Sequence, residues 1–253
     1  MKKVLTFVLI LLTAFSLVAC GGSAEPTAKE VYNTYLQKAG TIDAMDVDVD
    51  MQMKMMMGTE TMEAQALINM KVANTQSVED ALMQATMTIK QSGMSIEMGM
   101  YYADGWGYVD VLGMKVKQQT PMEKFATQFD GMQIEEMVEP DWLESAVVTK
   151  NQDGSYTMEI KMEGEAFLDY YEMLMSGIED VDVAGVTFND ATLTLVFDKE
   201  YYPVSAEAKT GAAMEVEGSV VDIEIGISMK YNAFGDDVVI TPPALDEYVE
   251  ANL

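Results

Sequence analysis

From Met45 onward the chain alternates apolar and polar residues with a period of two. Met45, Val47, Val49, Met51, Met53, Met55 and Met57 share one parity, while Asp46, Asp48, Asp50, Gln52 and Lys54 hold the other. Successive strand side chains point to opposite faces, so this stretch predicts a long strand with one dry and one wet face. The pattern returns at Met62, Ala64, Ala66, Ile68, Met70 and Val72, then at Met83, Ala85, Met87 and Ile89, and again at Met94, Ile96, Met98, Met100 and Tyr102. Asp104-Gly105 predicts a two-residue hairpin turn into a strand carrying Trp106, Tyr108, Asp110, Leu112, Met114 and Val116.

Periods of three and four mark the helices. Val31, Tyr32, Tyr35, Leu36 and Ala39 place one amphipathic helix between Pro26 and Ala39, with Gly40 as its stop signal. Pro121 to Met132 and Pro140 to Ala146 read as short helices opened by proline, and Glu165 to Ile178 as a third. Asp153-Gly154 predicts a second hairpin, leading into Tyr156, Met158, Ile160 and Met162. Further strands are expected at Ala191 to Phe197, around Val204 to Ala208, and at Val221 to Tyr231. Long strands on short turns, each apolar on one side, predict a meandering antiparallel sheet whose dry face must be covered. The expected fold class is α+β: a curved antiparallel sheet forming a half-open barrel, with helices over its open side. No internal repeat or linker divides the chain.

The first 23 residues follow a different pattern. Lys2 and Lys3 precede an apolar run from Val4 to Val18, and small residues lead into Cys20. That layout is a secretory signal, too short for a stable transmembrane helix. Leu17-Val18-Ala19-Cys20 resembles a bacterial lipobox, which implies diacylglyceryl modification of Cys20 and anchoring on the extracytoplasmic face of a membrane. The expected organisation is a lipoprotein signal peptide at 1–19, a lipidated tether at 20–28, and a single domain at 29–253.

Composition narrows the chemistry. The formal charge is −27, the chain has no histidine, and every one of its 15 basic residues is lysine. Such a surface repels nucleic acid and anionic headgroups. Without histidine or arginine, the usual neutral-pH general base and the usual bidentate anion clamp are both missing. The chain is expected not to be an enzyme and to carry no cofactor and no metal. Cys20 is the single cysteine, so no intramolecular disulfide forms.

Two stretches, YYADGWGYVDVLGMKVKQQ at 101–119 and YNAFGDDVVITPPAL at 231–245, resemble a hairpin and a final strand of an uncharacterised set of Gram-positive lipoproteins with a LolA/LppX-like half-barrel. The resemblance implies a hydrophobic cavity, between sheet and helices, that holds acyl chains. The chain departs from the superfamily in having no arginine for that cavity and in using methionine on the inward face.

Methionine occurs 24 times. Flexible, polarisable thioethers fill irregular cores and also line surfaces that re-pack around varied partners. The expected ligand-binding residues are Met51, Met53, Met55, Met70, Met87, Met98, Met100, Trp106, Met158 and Leu195, and the expected partner is a hydrophobic small molecule or lipid. Two alternatives compete: an envelope interaction module or scaffold without an open cavity, and a soft-metal module binding copper through Met51-x-Met53-x-Met55 and its neighbours. Neighbours on one strand face lie about 6–7 Å apart, so a three-sulfur site needs adjacent strands. Asp46-x-Asp48-x-Asp50 reads as a solvated strand face, lacking the glycine and terminal glutamate of a calcium loop. Glu135, Glu136, Glu139 and Asp141 read as surface charge.

Overall fold

The computed structural model describes residues 25–75, 77, 80–121, 138, 141–165, 186–216 and 219–251. The first element is helix α1, Ala28–Ala39. It starts where the sequence supplies a capping box: the Thr27 hydroxyl accepts from Glu30 N, and Glu30 Oε2 accepts from Thr27 N at 2.8 Å. The Thr27 backbone N–H foremost, and the Thr27 hydroxyl donating to Glu30 Oε2 at 2.9 Å, hold the Glu30 carboxyl below its ordinary range. The buried stripe is Ala28, Val31, Tyr32 and Tyr35.

Thirteen strands follow among the described residues. They are β1 Ala44–Met57, β2 Glu60–Ala73, β3 Leu82–Gln91, β4 Met94–Ala103, β5 Trp106–Val111 and β6 Met114–Gln119. A short helix α2, Trp142–Ser145, leads to β7 Val147–Lys150 and β8 Tyr156–Met162. The rest are β9 Val186–Phe188, β10 Ala191–Phe197, β11 Pro203–Val216, β12 Ser219–Phe234 and β13 Val249–Glu250. Neighbours run β13-β6-β5-β4-β3-β2-β1-β12-β11-β10-β8-β7, with β9 beside β11. All pairs are antiparallel except β13 with β6. The path does not close, so the sheet is open along this order.

The expected α+β class and curved antiparallel sheet are what the chain forms. Its hairpins follow the turn chemistry. Asp104 and Gly105 take φ of 53° and 76°, and Ser92 and Gly93 take 50° and 80°, the positive pair that matches strand twist in a two-residue turn. One expectation is corrected here. The stretch from Trp106 to Val116 is two strands and not one, because Leu112-Gly113 forms another such turn at φ of 53° and 83°. The expected hairpin at 153–154 joins β7 to β8, with Lys150 opposite Tyr156, through residues 151–155: Asn151 N donates to Ser155 O at 2.8 Å, and Asp153 Oδ1 accepts from Ser155 N. Strands β7, β9 and β13 carry no strong alternation and were not legible. Near the C-terminus Val249 and Glu250 pair with Val116 and Lys117. The expected helices at 121–132 and 165–178 and the expected signal peptide lie outside the described residues.

One sheet face is dry in two places. Around β8 and β10, Tyr156, Met158, Ile160, Leu193, Leu195 and Phe197 pack against Val31, Tyr32 and Tyr35 of α1 and Leu143 of α2. Around β1 to β4, Val47, Val49, Ile68, Met70, Met83, Ala85 and Tyr102 form a second core. Met229 of β12 touches both. On the opposite face a third cluster joins Tyr101, Ala103, Tyr108 and Tyr248. There the segment after β12 is strapped across the sheet: Thr241 N donates to Gln84 Oε1 at 3.0 Å, Lys115 pairs with Glu247, and the Tyr108 and Tyr248 rings meet edge to face at 5.4 Å.

Candidate functional site

Cross-strand register turns the period-two pattern into rows of side chains on one face. Val49 lies between Met229 and Ile68, and that row continues through Met87 to Met98. The next row is Ile227, Met51, Ala66, Ile89 and Ile96. Beyond it come Ile225, Met53, Ala64, Gln91 and Met94, and then Ile223, Met55 and Met62. Parity is unbroken along β1, but burial is not. Val47 and Val49 are 1% and 3% exposed, whereas Met51, Met53 and Met57 are 38%, 37% and 46% exposed. Across the sheet Met62 reaches 50% and Met94 68%. One face therefore passes from sealed core to open apolar surface within a single strand.

The ten residues expected to bind ligand separate accordingly. Met158 and Leu195, directly opposed across β8 and β10, are fully buried under α1. Met70 is buried in the second core. Met87 and Met100 are half-buried and pack against that core's edge, and Met98 is half-buried opposite Met87. Met51, Met53 and Met55 lie at the open end, Met55 directly opposite Met62. Trp106 is corrected: it opposes Ala103 in the same parity as Tyr101 and Tyr108, and so stands on the other face, against the strapped cluster. The Leu112-Gly113 turn does not shift it; the Asp104-Gly105 turn sets its parity. Cys20 lies outside the described residues. Met57, Met62, Met94 and Ile96, not singled out as ligand residues, belong to the open end with Met53; their shared parity is the signal that could have found them.

Two clefts indent the described sheet, of about 1310 Å³ and 760 Å³. Both are lined chiefly by the polar face. The smaller holds Asp48, Asp50, Asn69, Thr86, Glu207 and Lys230. The larger reaches from Thr192 of β10 to Lys90 of β3, strands that a flat sheet would separate by about 24 Å. From β10 to β3 the cleft thus spans six adjacent strands of the twisted sheet. Met53 and Met62 also line this cleft. The expected convergence of the methionine face on a vacant interior is thus corrected for the described residues: that face is part solid core and part open surface.

The aspartate ladder forms a hydrogen-bonded polar face. Asn69 Nδ2 donates to Asp46 Oδ1 at 2.9 Å and to Asp48 Oδ1 at 2.8 Å, and Asn232 Nδ2 donates to Asp48 Oδ2 at 2.8 Å. Those donors, that of Asn232 foremost, lower the Asp48 pKa below the ordinary aspartate value. Lys71 pairs with Asp46 at 3.5 Å. Among the described residues no group of three or more His, Cys, Asp or Glu side chains is arranged to hold a metal ion. No described helix is long and apolar enough to cross a membrane.

Comparison with known proteins adds a family. Residues 27–242 match DUF6612, a family of unknown function. No match was found among curated proteins. Among solved structures the chain is similar to a DUF1329 family protein from Desulfovibrio piger, at 9% identity and a TM-score of 0.24 over 85% of this chain and 95% of that one. It is similar to a LolA superfamily protein from Nitrosomonas europaea at 10% identity and a TM-score of 0.19, covering 86% and 96%. An outer membrane lipoprotein-sorting protein domain from Vibrio parahaemolyticus shares 8% identity at a TM-score of 0.20, covering 84% and 95%.

Proposed function

The chain belongs to the family of unknown function DUF6612, and from that premise we propose that it is a non-enzymatic binder of acyl chains, held outside the cell membrane by a lipid on Cys20. The observation that supports this is the exposure gradient along one unbroken apolar face. An exposed stretch of Met51, Met53, Met57, Met62 and Met94 in a chain of charge −27 is apolar surface kept where solubility favours charge. Thioethers are suited to it because they re-pack around a ligand that has no fixed shape. Each methylene removed from water contributes about 0.8 kcal/mol, so roughly sixteen buried carbons supply about 13 kcal/mol and reach micromolar binding after about 4–5 kcal/mol of entropy losses.

Titration with a fluorescent fatty acid tests this. Uptake at micromolar concentration is expected, and Met53→Asp with Met62→Asp should weaken it about tenfold or more, by placing charge against hydrocarbon, with the fold unchanged by circular dichroism. Absence of uptake, or equal uptake by the charged variant, overturns the reading. For the anchor, intact mass of the protein from its own host should show a diacylglyceryl cysteine at its N-terminus; an unmodified Cys20 sinks that part alone.

A further inference from the structure

We propose that Met51, Met53, Met57, Met62 and Met94 are reversible oxidation sites, at which sulfoxide formation turns the open end of the sheet from apolar to polar and leaves both cores intact. Sulfoxidation needs an exposed sulfur, and among the described residues methionine access runs from full burial to two-thirds exposure. These five are 38%, 37%, 46%, 50% and 68% exposed, while Met70, Met83 and Met158 in the cores are 6%, 3% and 0% exposed. Met114, also exposed, stands apart from them on β6.

Four of the five are also neighbours. Met62 opposes Met55, with Met53 and Met57 at the diagonal positions of the same strand pair, and Met51 is two residues from Met53 on the same face. Diagonal neighbours are about 7–8 Å apart, within reach of long side chains. Met94 lies in the row of Met53 on β4, beyond Ala64 and Gln91. A few oxidations therefore change the apolar stretch of β1 and β2 together with its far edge at Met94.

The oxidant is a peroxide. A sulfur lone pair attacks one oxygen of hydrogen peroxide, the O–O bond breaks, an S–O bond forms, and water leaves. The product is a polar, chiral sulfoxide in place of an apolar thioether. Return requires a dithiol reductant: two thiols lose two electrons and two protons, form a disulfide, and the sulfoxide oxygen leaves as water. Buried thioethers are spared, so the sheet stays folded while its surface changes. The effect on an acyl ligand, its release, rests on the function proposed above.

The test treats the protein with hydrogen peroxide, follows each methionine by peptide mass spectrometry, and measures retention on a hydrophobic-interaction column. Sulfoxide at the five open-end positions should accumulate about tenfold or more faster than at Met70, Met83 and Met158, and the product should elute earlier with its unfolding temperature nearly unchanged. A variant with Met51→Leu, Met53→Leu, Met57→Leu, Met62→Leu, Met94→Leu and, at the other exposed methionine, Met114→Leu keeps the apolar volume and should keep its retention after the same treatment. Equal rates at exposed and buried positions, or unchanged retention after full conversion of the five, overturns the proposal. Fatty-acid uptake is read in parallel and should fall about tenfold on oxidation of the native chain but not of the leucine variant; retained uptake overturns the release step. If the unoxidised protein takes up no probe, the ligand reading fails, and the rates and the retention still decide the oxidation sites.

Discussion

Leu112 occupies a conformation that its side chain resists. Its φ is 53°, and it is 69% exposed, so no packing compensates. The turn itself is well anchored, with Gly113 N donating to Asp110 Oδ1 at 2.9 Å. Leu112→Asn gives the residue pair such turns favour and should raise stability by about 0.5–1 kcal/mol in urea unfolding; a loss would mean that Leu112 makes a contact worth more than its strain. Asp48 yields a second prediction at this scale. Its native pKa lies below the unfolded value, so its contribution is present above that unfolded value and lost as pH falls through the native one. Below about pH 4 the native protein should lose stability less steeply once Asp48→Asn removes this titration. Identical slopes for the two proteins would show that the Asn69 and Asn232 bonds do not distinguish the ionised carboxylate.

The elements were the most legible level. Alternation located the greater part of β1 to β4, β8, β10 and β12, because a one-sided sheet imposes its period on every residue. The α1 stripe was equally open to reading, while its Thr27–Glu30 capping box came from the structure. Thr27→Ala should cost about 1 kcal/mol through loss of the cap. Tyr35→Ala should cost about 3–5 kcal/mol, since its ring is buried between Tyr32 and Phe197, with centroids 5.7 Å and 5.0 Å away. Guanidinium unfolding measures both, and a Tyr35→Ala cost under about 1 kcal/mol would deny that α1 seals the β8–β10 core. The misses share a cause. Leu112 carries the alternation across its own turn, so the apolar parity ran through a reversal of the chain. Strands β7, β9 and β13 are two to four residues long, too short for a period to register, and exist because a neighbour's edge offers hydrogen bonds.

For the whole molecule, charge and cover set the behaviour. A net −27 without histidine stays strongly negative across the neutral range, and self-repulsion opposes the compact state. Raising sodium chloride from low millimolar to about 0.5 M, where the screening length falls to a few ångströms, should raise the unfolding temperature; a fall would place the weight on exposed pairs such as Lys54–Glu224. Hydrophobic parity determined which residues share a face, and turn pairs determined most hairpins, because both are local consequences of strand geometry and positive φ. Local pattern carries no record of what lies above a face. Only the tertiary structure decided that α1 covers Met158 and Leu195, that the second core ends after Val49, and that the C-terminal strap claims the side bearing Trp106. Those outcomes depend on which distant segments meet, and an identical methionine serves as core at one end of a face and as open surface at the other.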